Sequence, residues 1–141
     1  MTLLDFDYDA TPDRVPPIPA GVYEARIIDV PVLAEEQGKD GREVNTFTVK
    51  SQILPQYDEA ANNRIITHKI WIDADPLSAG RVMVKHLCTS SGYIPAKGQL
   101  DPEALNQRVV RLLITQRAGQ NKETGESELY SNVRDYLPPE A

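Results

Sequence analysis

The stretch IITHKIWIDADP, residues 65–76, places a lysine and a tryptophan two positions apart in a segment that alternates like a β-strand. Such a strand puts Lys69 and Trp71 on one face and Ile66 and Ile70 on the other. A lysine can contact a phosphate, while an exposed indole can stack on an unpaired base. A helix, the N-terminal segment or a partner subunit covering Trp71 would explain the same pattern.

The other reactive residue types do not assemble a catalytic or metal-binding motif. His68 and His86 are far apart in sequence, and neither has a cysteine or carboxylate at ligand spacing. Cys88 falls on the apolar face of a predicted helix, and Asp75 is explained as a helix cap. The sequence therefore predicts a protein that is not an enzyme and uses no cofactor. An uncharacterised enzyme would need a metal or cofactor that these residues do not suggest.

Length and charge limit the class of protein. A chain of 141 residues with one cysteine is expected to form a single domain with one core and no internal disulfide. No apolar run is long enough to span a membrane, and the acidic start does not resemble a signal peptide. The net charge of −6 argues against a general coat for duplex DNA. Four aspartates and one arginine in residues 1–18 account for −3 of it, so the remaining body can still carry a basic face.

Alternation of apolar and polar residues predicts five strands, and a helical pattern follows the third of them. The predicted strands are VYEARIIDV, NTFTVKSQIL, the opening stretch, RVVRLLITQR and LYSNVRDYL. Residues 34–43, AEEQGKDGRE, are expected to form a polar loop, and DPEALNQ is expected to form a second, shorter helix. The predicted fold class is mainly β: a five-stranded OB-fold-like barrel with a helix between strands three and four. A small α+β sheet protein with the same element order is the alternative.

Three segments follow from this pattern. Residues 1–18 are predicted to be a flexible acidic proline-containing arm, residues 19–138 the OB-like single-stranded-DNA-binding domain, and residues 139–141 a short tail. If the apolar set of each strand faces inward, the outward positions and one adjoining loop are rich in cations and aromatic rings. This candidate DNA-binding set is Arg26, Lys50, Lys69, Trp71, Arg111, Arg117, Lys122, Tyr130, Arg134 and Tyr136. The tyrosines would equally suit the closing of a barrel end.

Several motifs occur in a characteristic order across most of residues 17–139: PIPAGVYEARIIDV, TFTVKSQIL, KIWIDADP, VMVKHLCTSSGY, DPEALNQRVVRLLI and YSNVRDYLPPEA. Their order resembles a family of small bacteriophage proteins that includes phage single-stranded-DNA-binding proteins. The resemblance implies an OB-like barrel that coats single-stranded DNA during phage replication or recombination in the host cytoplasm, with no catalytic residues. The chain departs from the family at Gln107, where the family commonly has glycine, and its span between strands two and three is longer.

Many single-strand coating proteins carry an acidic, aromatic-tipped tail that recruits replication partners and competes with DNA. The N-terminal arm is expected to take that role here and to bind replication or recombination proteins through Asp5, Phe6, Asp7, Tyr8 and Asp9. An unstructured solubilising leader is the alternative. The alternative for the whole protein is a virion assembly or protein-interaction module whose outward aromatics form subunit contacts. An exposed edge strand would also allow a homodimer.

Overall fold

The computed structural model describes residues 3–11, 16–37, 41, 43–73, 75, 77–120, 125 and 127–139. Within these residues the protein is mainly β, as predicted, with six antiparallel strands rather than five. The elements are β1 (Gly21–Ile27), β2 (Val32–Gln37), β3 (Glu43–Ile53), β4 (Ile65–Ile72), α1 (Ala79–Ser91), a 3₁₀ helix (Pro102–Leu105), β5 (Val109–Gln120) and β6 (Ser127–Leu137). No helix in the described part of the chain has the length and hydropathy needed to cross a bilayer.

β2 is the additional strand. The prediction of a polar loop over residues 34–43 is wrong for its first part, because β2 continues to Gln37. Its sequence, VLAEEQ, lacks a clear apolar face, yet every residue of β2 has a partner in β3, from Val32 opposite Thr48 to Gln37 opposite Glu43. Backbone pairing with a long neighbouring strand therefore forms this strand without an amphipathic pattern.

β3 organises the sheet. β1 pairs with its C-terminal end and β2 with its N-terminal half, while β4 pairs along its other edge. Between β1 and β2, the Ile28 N–H donates to the Lys50 carbonyl at 3.1 Å, so the two short strands follow each other along β3. β5 pairs with β1, and β6 pairs with β5. The described strands therefore form an open sheet rather than a closed five-stranded barrel, because no backbone pairing joins β4 to β6.

The inward sets predicted from sequence form the core. In β3 these are Phe47, Val49 and Ile53, and in β5 they are Val110, Leu112 and Ile114; all six are buried. α1 lies between β4 and β5 in the chain, where the helix is predicted, and it contacts β4, β5 and β6. The core also includes Ile18, whose N–H donates to the Ser131 hydroxyl of β6.

A bulge reverses the side-chain alternation in β6. Leu113 pairs with Asp135 and the next residue of β5, Ile114, pairs with Val133, which leaves Arg134 as an extra residue. Tyr130 and Arg134 point outward as predicted, but Tyr136 is only 2% exposed. The prediction that Tyr136 lies on the outward face is therefore wrong, because the bulge shifts the two-residue period before the chain reaches it.

Tyr136 instead bridges the open side of the sheet. Its Oη lies 3.0 Å from Nδ1 of His68 in β4, and the two rings are 5.6 Å apart. Burial lowers the pKa of His68 and raises the pKa of Tyr136, so both are favoured in their neutral forms. Side chains, rather than a backbone ladder, thus link β4 to β6.

Helix α1 begins later than the sequence predicts. Ser78, not Asp75, is the N-cap, and its hydroxyl accepts a hydrogen bond from the Arg81 N–H. Asp75 accepts from the Leu77 N–H instead and forms a local turn. The helix ends at Gly92, which has a left-handed φ of 76°.

Gln107 also has a positive φ, of 68°. Its N–H donates to the Ile27 carbonyl at 2.7 Å, and its own carbonyl accepts from the Arg26 guanidinium at 3.0 Å. These hydrogen bonds hold a glutamine in a backbone conformation that favours glycine.

Candidate nucleic-acid interface

The outward side chains of β3 and β4 make one continuous surface of mixed polar and apolar residues. Directly opposite residues share a face of the sheet, so the strand register identifies its members. We call this surface the outer β3–β4 face; it comprises Thr46, Thr48, Lys50 and Gln52 of β3 with Ile65, Thr67, Lys69 and Trp71 of β4. Val32, Ala34 and Glu36 of β2 extend it beyond β3.

Trp71 lies on this face and is 49% exposed, so its outward orientation is confirmed. It stands opposite Thr46, which is buried and whose hydroxyl donates to the Ala34 carbonyl at 3.5 Å. A Cβ on Gly80 would lie 1.8 Å from the Trp71 carbonyl oxygen, so only glycine allows α1 to approach this closely. The indole is thus held on a strand whose backbone is fixed by the helix.

Lys69 folds over the indole. Its Nζ lies 4.7 Å from the centroid of the Trp71 ring and 2.7 Å from Oε2 of Glu36 in β2. The ammonium therefore makes a cation–π contact and an ion pair at the same time. A phosphate that binds Lys69 must compete with the Glu36 carboxylate, and a base that stacks on this side of the ring must displace the ammonium.

The remaining cations of this region are also engaged. Nζ of Lys50 lies 3.9 Å from Oδ2 of Asp29, with both side chains largely exposed. Arg26 stands opposite Gln52 in the register, and its Nη1 donates to the Gln107 carbonyl. Both cations are exposed and within a few residues of one another on the same side of the sheet, so they can exchange these partners for phosphates.

Arg111 has a different environment. It lies on β5 opposite Glu24 and is half-buried. Its N–H donates to the buried Ser90 hydroxyl of α1 at 2.8 Å, and its Nη1 contacts the Pro138 carbonyl at 3.4 Å. These contacts connect β5 to the helix and to the end of β6, which gives Arg111 a structural role at this position.

A second group of predicted residues lies on the hairpin of β5 and β6. Arg117 stands opposite Tyr130, and both are exposed, as is Arg134. The Tyr130 ring covers Gly119, where a Cβ would come within 2.8 Å of the ring, and its Oη donates to Glu128 at 2.8 Å. An aromatic ring over a strand glycine stabilises a hairpin. No described contact joins this hairpin group to the outer β3–β4 face.

The predicted arm and loop residues complete the set. Lys122 lies outside the described residues. In the arm, Phe6 and Tyr8 are exposed, and the Asp7 side chain accepts from the N–H groups of Asp9 and Ala10 in a local turn. Asp5 and Asp9 are exposed as well. The partner-binding role of these residues stays a prediction.

The two histidines make different contacts. His68 is the hydrogen-bonded histidine described above, whereas His86 on α1 is exposed and its Nδ1 lies 2.7 Å from Oδ1 of Asp135 in β6. Burial raises the pKa of the Cys88 thiol. Among the described residues, no three His, Cys, Asp or Glu side chains cluster in a way that would hold a metal ion.

Sequence reasoning missed the two carboxylates that neutralise this surface. Glu36 belongs to the segment predicted to be a loop, and Asp29 lies in the connection between β1 and β2. The sequence around Glu36 carries no strand signal, because VLAEEQ has no alternation of apolar and polar residues. The partner of Glu36 in β4 becomes apparent only from the pairing of both strands with β3.

A scan of the sequence against models of known protein families matches none of them, and a search of curated proteins finds no match.

Proposed function

We propose that the protein binds single-stranded DNA, without catalysis and largely without sequence preference, through the outer β3–β4 face. The observation that carries this proposal is the half-exposed Trp71 with the Lys69 ammonium 4.7 Å from its ring centroid. Single-strand binding surfaces combine aromatic stacking with cations that follow the phosphates. Lys50 and Arg26 supply further cations along the same side of the sheet. Thr67 stands opposite Lys50, and Thr48 stands opposite Lys69.

The arrangement of the strands supports an OB-like interpretation of the fold. β1 and β2 follow each other along one edge of β3, and together they take the place of one long bent strand. Counted in this way, five strands surround the core, and a helix joins the third to the fourth. In an OB-fold the ligand lies over strands two and three, which correspond here to β3 and β4.

The hairpin of β5 and β6 supplies a second contact region in this proposal. Arg117, Tyr130 and Arg134 offer two cations beside an exposed ring. Tyr136 takes no part because it is buried, and Arg111 contributes to the fold. The setting implied by the family resemblance, phage DNA replication or recombination in the host cytoplasm, belongs to the same proposal.

Trp71 is the only tryptophan in the chain, so its fluorescence tests the proposal directly. Oligo-dT titrated at low salt is expected to quench the emission, added salt to restore it, and matched duplex to have little effect. Trp71→Ala should weaken binding by about 1–3 kcal/mol in an anisotropy assay with labelled oligo-dT. Unchanged affinity of this variant, with its fold intact by circular dichroism, would contradict a stacking role.

The alternative function is a protein-interaction module. Self-association of Trp71→Ala in the absence of DNA tests this alternative. Leu129→Ser is the matched control, because it removes an exposed apolar residue of β6 that lies outside the outer β3–β4 face. If Trp71→Ala reduces self-association in the absence of DNA and Leu129→Ser does not, the indole belongs to a subunit interface instead.

A further inference from the structure

A wide apolar groove runs beside α1, on a side of the helix that the proposed DNA-binding surface does not use. It has a volume of about 580 Å³, within the range of pockets that bury drug-sized ligands. We call it the α1 groove; its apolar lining comprises Val84, Cys88, Tyr93, Ile94, Pro95 and Leu100. Ile94 is 91% exposed, so the groove carries an apolar side chain in contact with water.

The groove continues past α1 toward β2. A neighbouring cavity of about 320 Å³ shares Val84 and Leu100 with it and adds Leu33, Phe47 and Ile72. Leu33 is exposed although it points to the same side of the sheet as the buried Phe47. The two cavities together offer a partner an extended apolar channel.

The charged residues that line the channel are basic. Arg81 and Lys85 lie one helical turn apart on α1 and line the groove, and Arg81 also lines the neighbouring cavity. The Arg81 Nε donates to the Asp73 carbonyl, which fixes the side chain near the start of the helix. None of the residues described as lining either cavity is acidic. The channel therefore suits a segment that is both apolar and acidic.

The chain itself contains such a segment in its N-terminal arm. Leu4, Phe6 and Tyr8 alternate with Asp5, Asp7 and Asp9, so an extended backbone would separate apolar from acidic side chains once the local turn at residues 8–10 opens. The large apolar side chains of residues 3–8 are 59–85% exposed. None of the described hydrogen bonds or ring contacts joins residues 3–11 to the rest of the chain.

We propose that the α1 groove binds residues 3–9 of a second copy of this chain. A single copy leaves both the apolar side chains of the arm and the apolar groove in contact with water, and the charges of the two surfaces are opposite. The arm leaves the body where the Arg64 guanidinium donates to the Pro16 carbonyl, just before β4. The cavity that continues the groove is lined by Ile72, the last residue of β4, at the other end of that strand. Arm and groove therefore join copies head to tail.

A head-to-tail contact uses two different surfaces of each copy, so it extends into a chain of molecules rather than closing as a two-fold dimer. On a DNA strand, such contacts would make neighbouring copies bind cooperatively, a consequence that rests on the proposed function. The association itself does not require DNA and is tested without it.

A charge exchange tests the contact between copies. Asp5→Lys with Asp9→Lys reverses the charge of the arm, and Arg81→Glu with Lys85→Glu reverses the charge of the groove rim; all four residues are exposed. In sedimentation velocity at low salt, wild type should associate with rising concentration, and each reversed protein alone should associate roughly tenfold more weakly. An equimolar mixture of the two should associate nearly as well as wild type, because each arm then meets a groove of opposite charge.

Failure of the mixture to recover association would overturn the proposal, as would a wild-type protein that stays monomeric. An arm that docks on its own body gives that second result, because the groove of each copy is then already filled and no second copy binds. Ile94→Ser tests the apolar part of the contact, because it removes an exposed side chain of the groove and leaves the core intact. Leu129→Ser, on β6, is its matched control. Association should fall with Ile94→Ser and stay unchanged with Leu129→Ser; equal behaviour of the two would also count against the groove.

The same variants separate this proposal from the proposed function. An oligo-dT long enough for a single copy should bind Ile94→Ser as tightly as wild type, because the groove is not on the outer β3–β4 face. Loss of association with normal binding of the short oligonucleotide supports the contact. Normal association without any DNA binding leaves the contact standing and removes only the proposed function.

Discussion

Replacing Glu36 with glutamine is expected to strengthen binding of single-stranded DNA. In the free protein, the Glu36 carboxylate lies 2.7 Å from the Lys69 ammonium, which rests over Trp71. A phosphate that takes Lys69 must first replace this carboxylate. Glu36→Gln removes the competitor while keeping the size and polarity of the side chain, so the cost of breaking the ion pair disappears.

The size of the effect follows from the exposure of the pair. The two side chains are 42% and 38% exposed, so solvent screens their attraction and an ion pair of this kind contributes about 0.2–1 kcal/mol. Removing that cost should tighten binding roughly 1.5- to 5-fold. The dependence of log K on log salt should become steeper by up to about 0.7, the value for one phosphate contact with a single strand.

Fluorescence anisotropy with a labelled oligo-dT measures both quantities independently of Trp71. Glu35→Gln is the matched control, because Glu35 is the neighbouring residue of β2, is exposed, and points to the opposite side of the strand. It makes the same change in net charge without touching Lys69. Equal affinities of the two variants, or weaker binding by Glu36→Gln, would refute the role assigned to the ion pair.

Three further predictions concern the fold. Burial lowers the folded-state pKa of His68 below 6.5, so its contribution to stability is present above pH 6.5 and is lost as the pH falls through the folded-state value. The urea midpoint of wild type should therefore fall on acidification, and that of His68→Asn should fall less steeply. Parallel pH profiles of the two midpoints would contradict this. Tyr136→Phe should cost about 0.5–1.5 kcal/mol of stability through the lost hydrogen bond and leave oligo-dT affinity unchanged, whereas weaker binding would place Tyr136 at the DNA. Gly80→Ala should lower the free energy of unfolding more than Gly92→Ala. The new Cβ at position 80 would lie 1.8 Å from the Trp71 carbonyl oxygen, whereas Gly92→Ala introduces only left-handed backbone strain of about 1–2 kcal/mol. Similar urea midpoints for the two alanine variants would show that α1 can move away from β4.

Sequence pattern predicts the parts of this fold that depend on burial. The inward sets of β3 and β5 are correct because two-residue alternation reports which side of a strand meets the core. The outward position of Trp71 follows from the same rule. The helix between β4 and β5 is also found in the predicted place, although Ser78 rather than Asp75 caps it.

The errors arise where pairing, rather than burial, decides the structure. β2 forms because β3 offers it a backbone partner, and its own residues carry little apolar signal. Tyr136 turns inward because Arg134 is an extra residue opposite β5, and a bulge leaves no trace in a two-residue period. The pairing of Glu36 with Lys69 depends on two strands that share β3 as a neighbour, so residue types alone do not reveal it.

The side-chain link between β4 and β6 also bears on aggregation. In the described sheet both are edge strands, and they approach each other without forming a ladder. Edge strands carry unpaired backbone groups that can recruit other chains, and here each edge is shielded by the other. Separation of His68 from Tyr136 would expose the unpaired backbone groups of β4 and β6 together, and both strands could then pair with other chains. Amides along both edges should therefore exchange hydrogen together, and solutions at acidic pH should be the first to form β-rich aggregates.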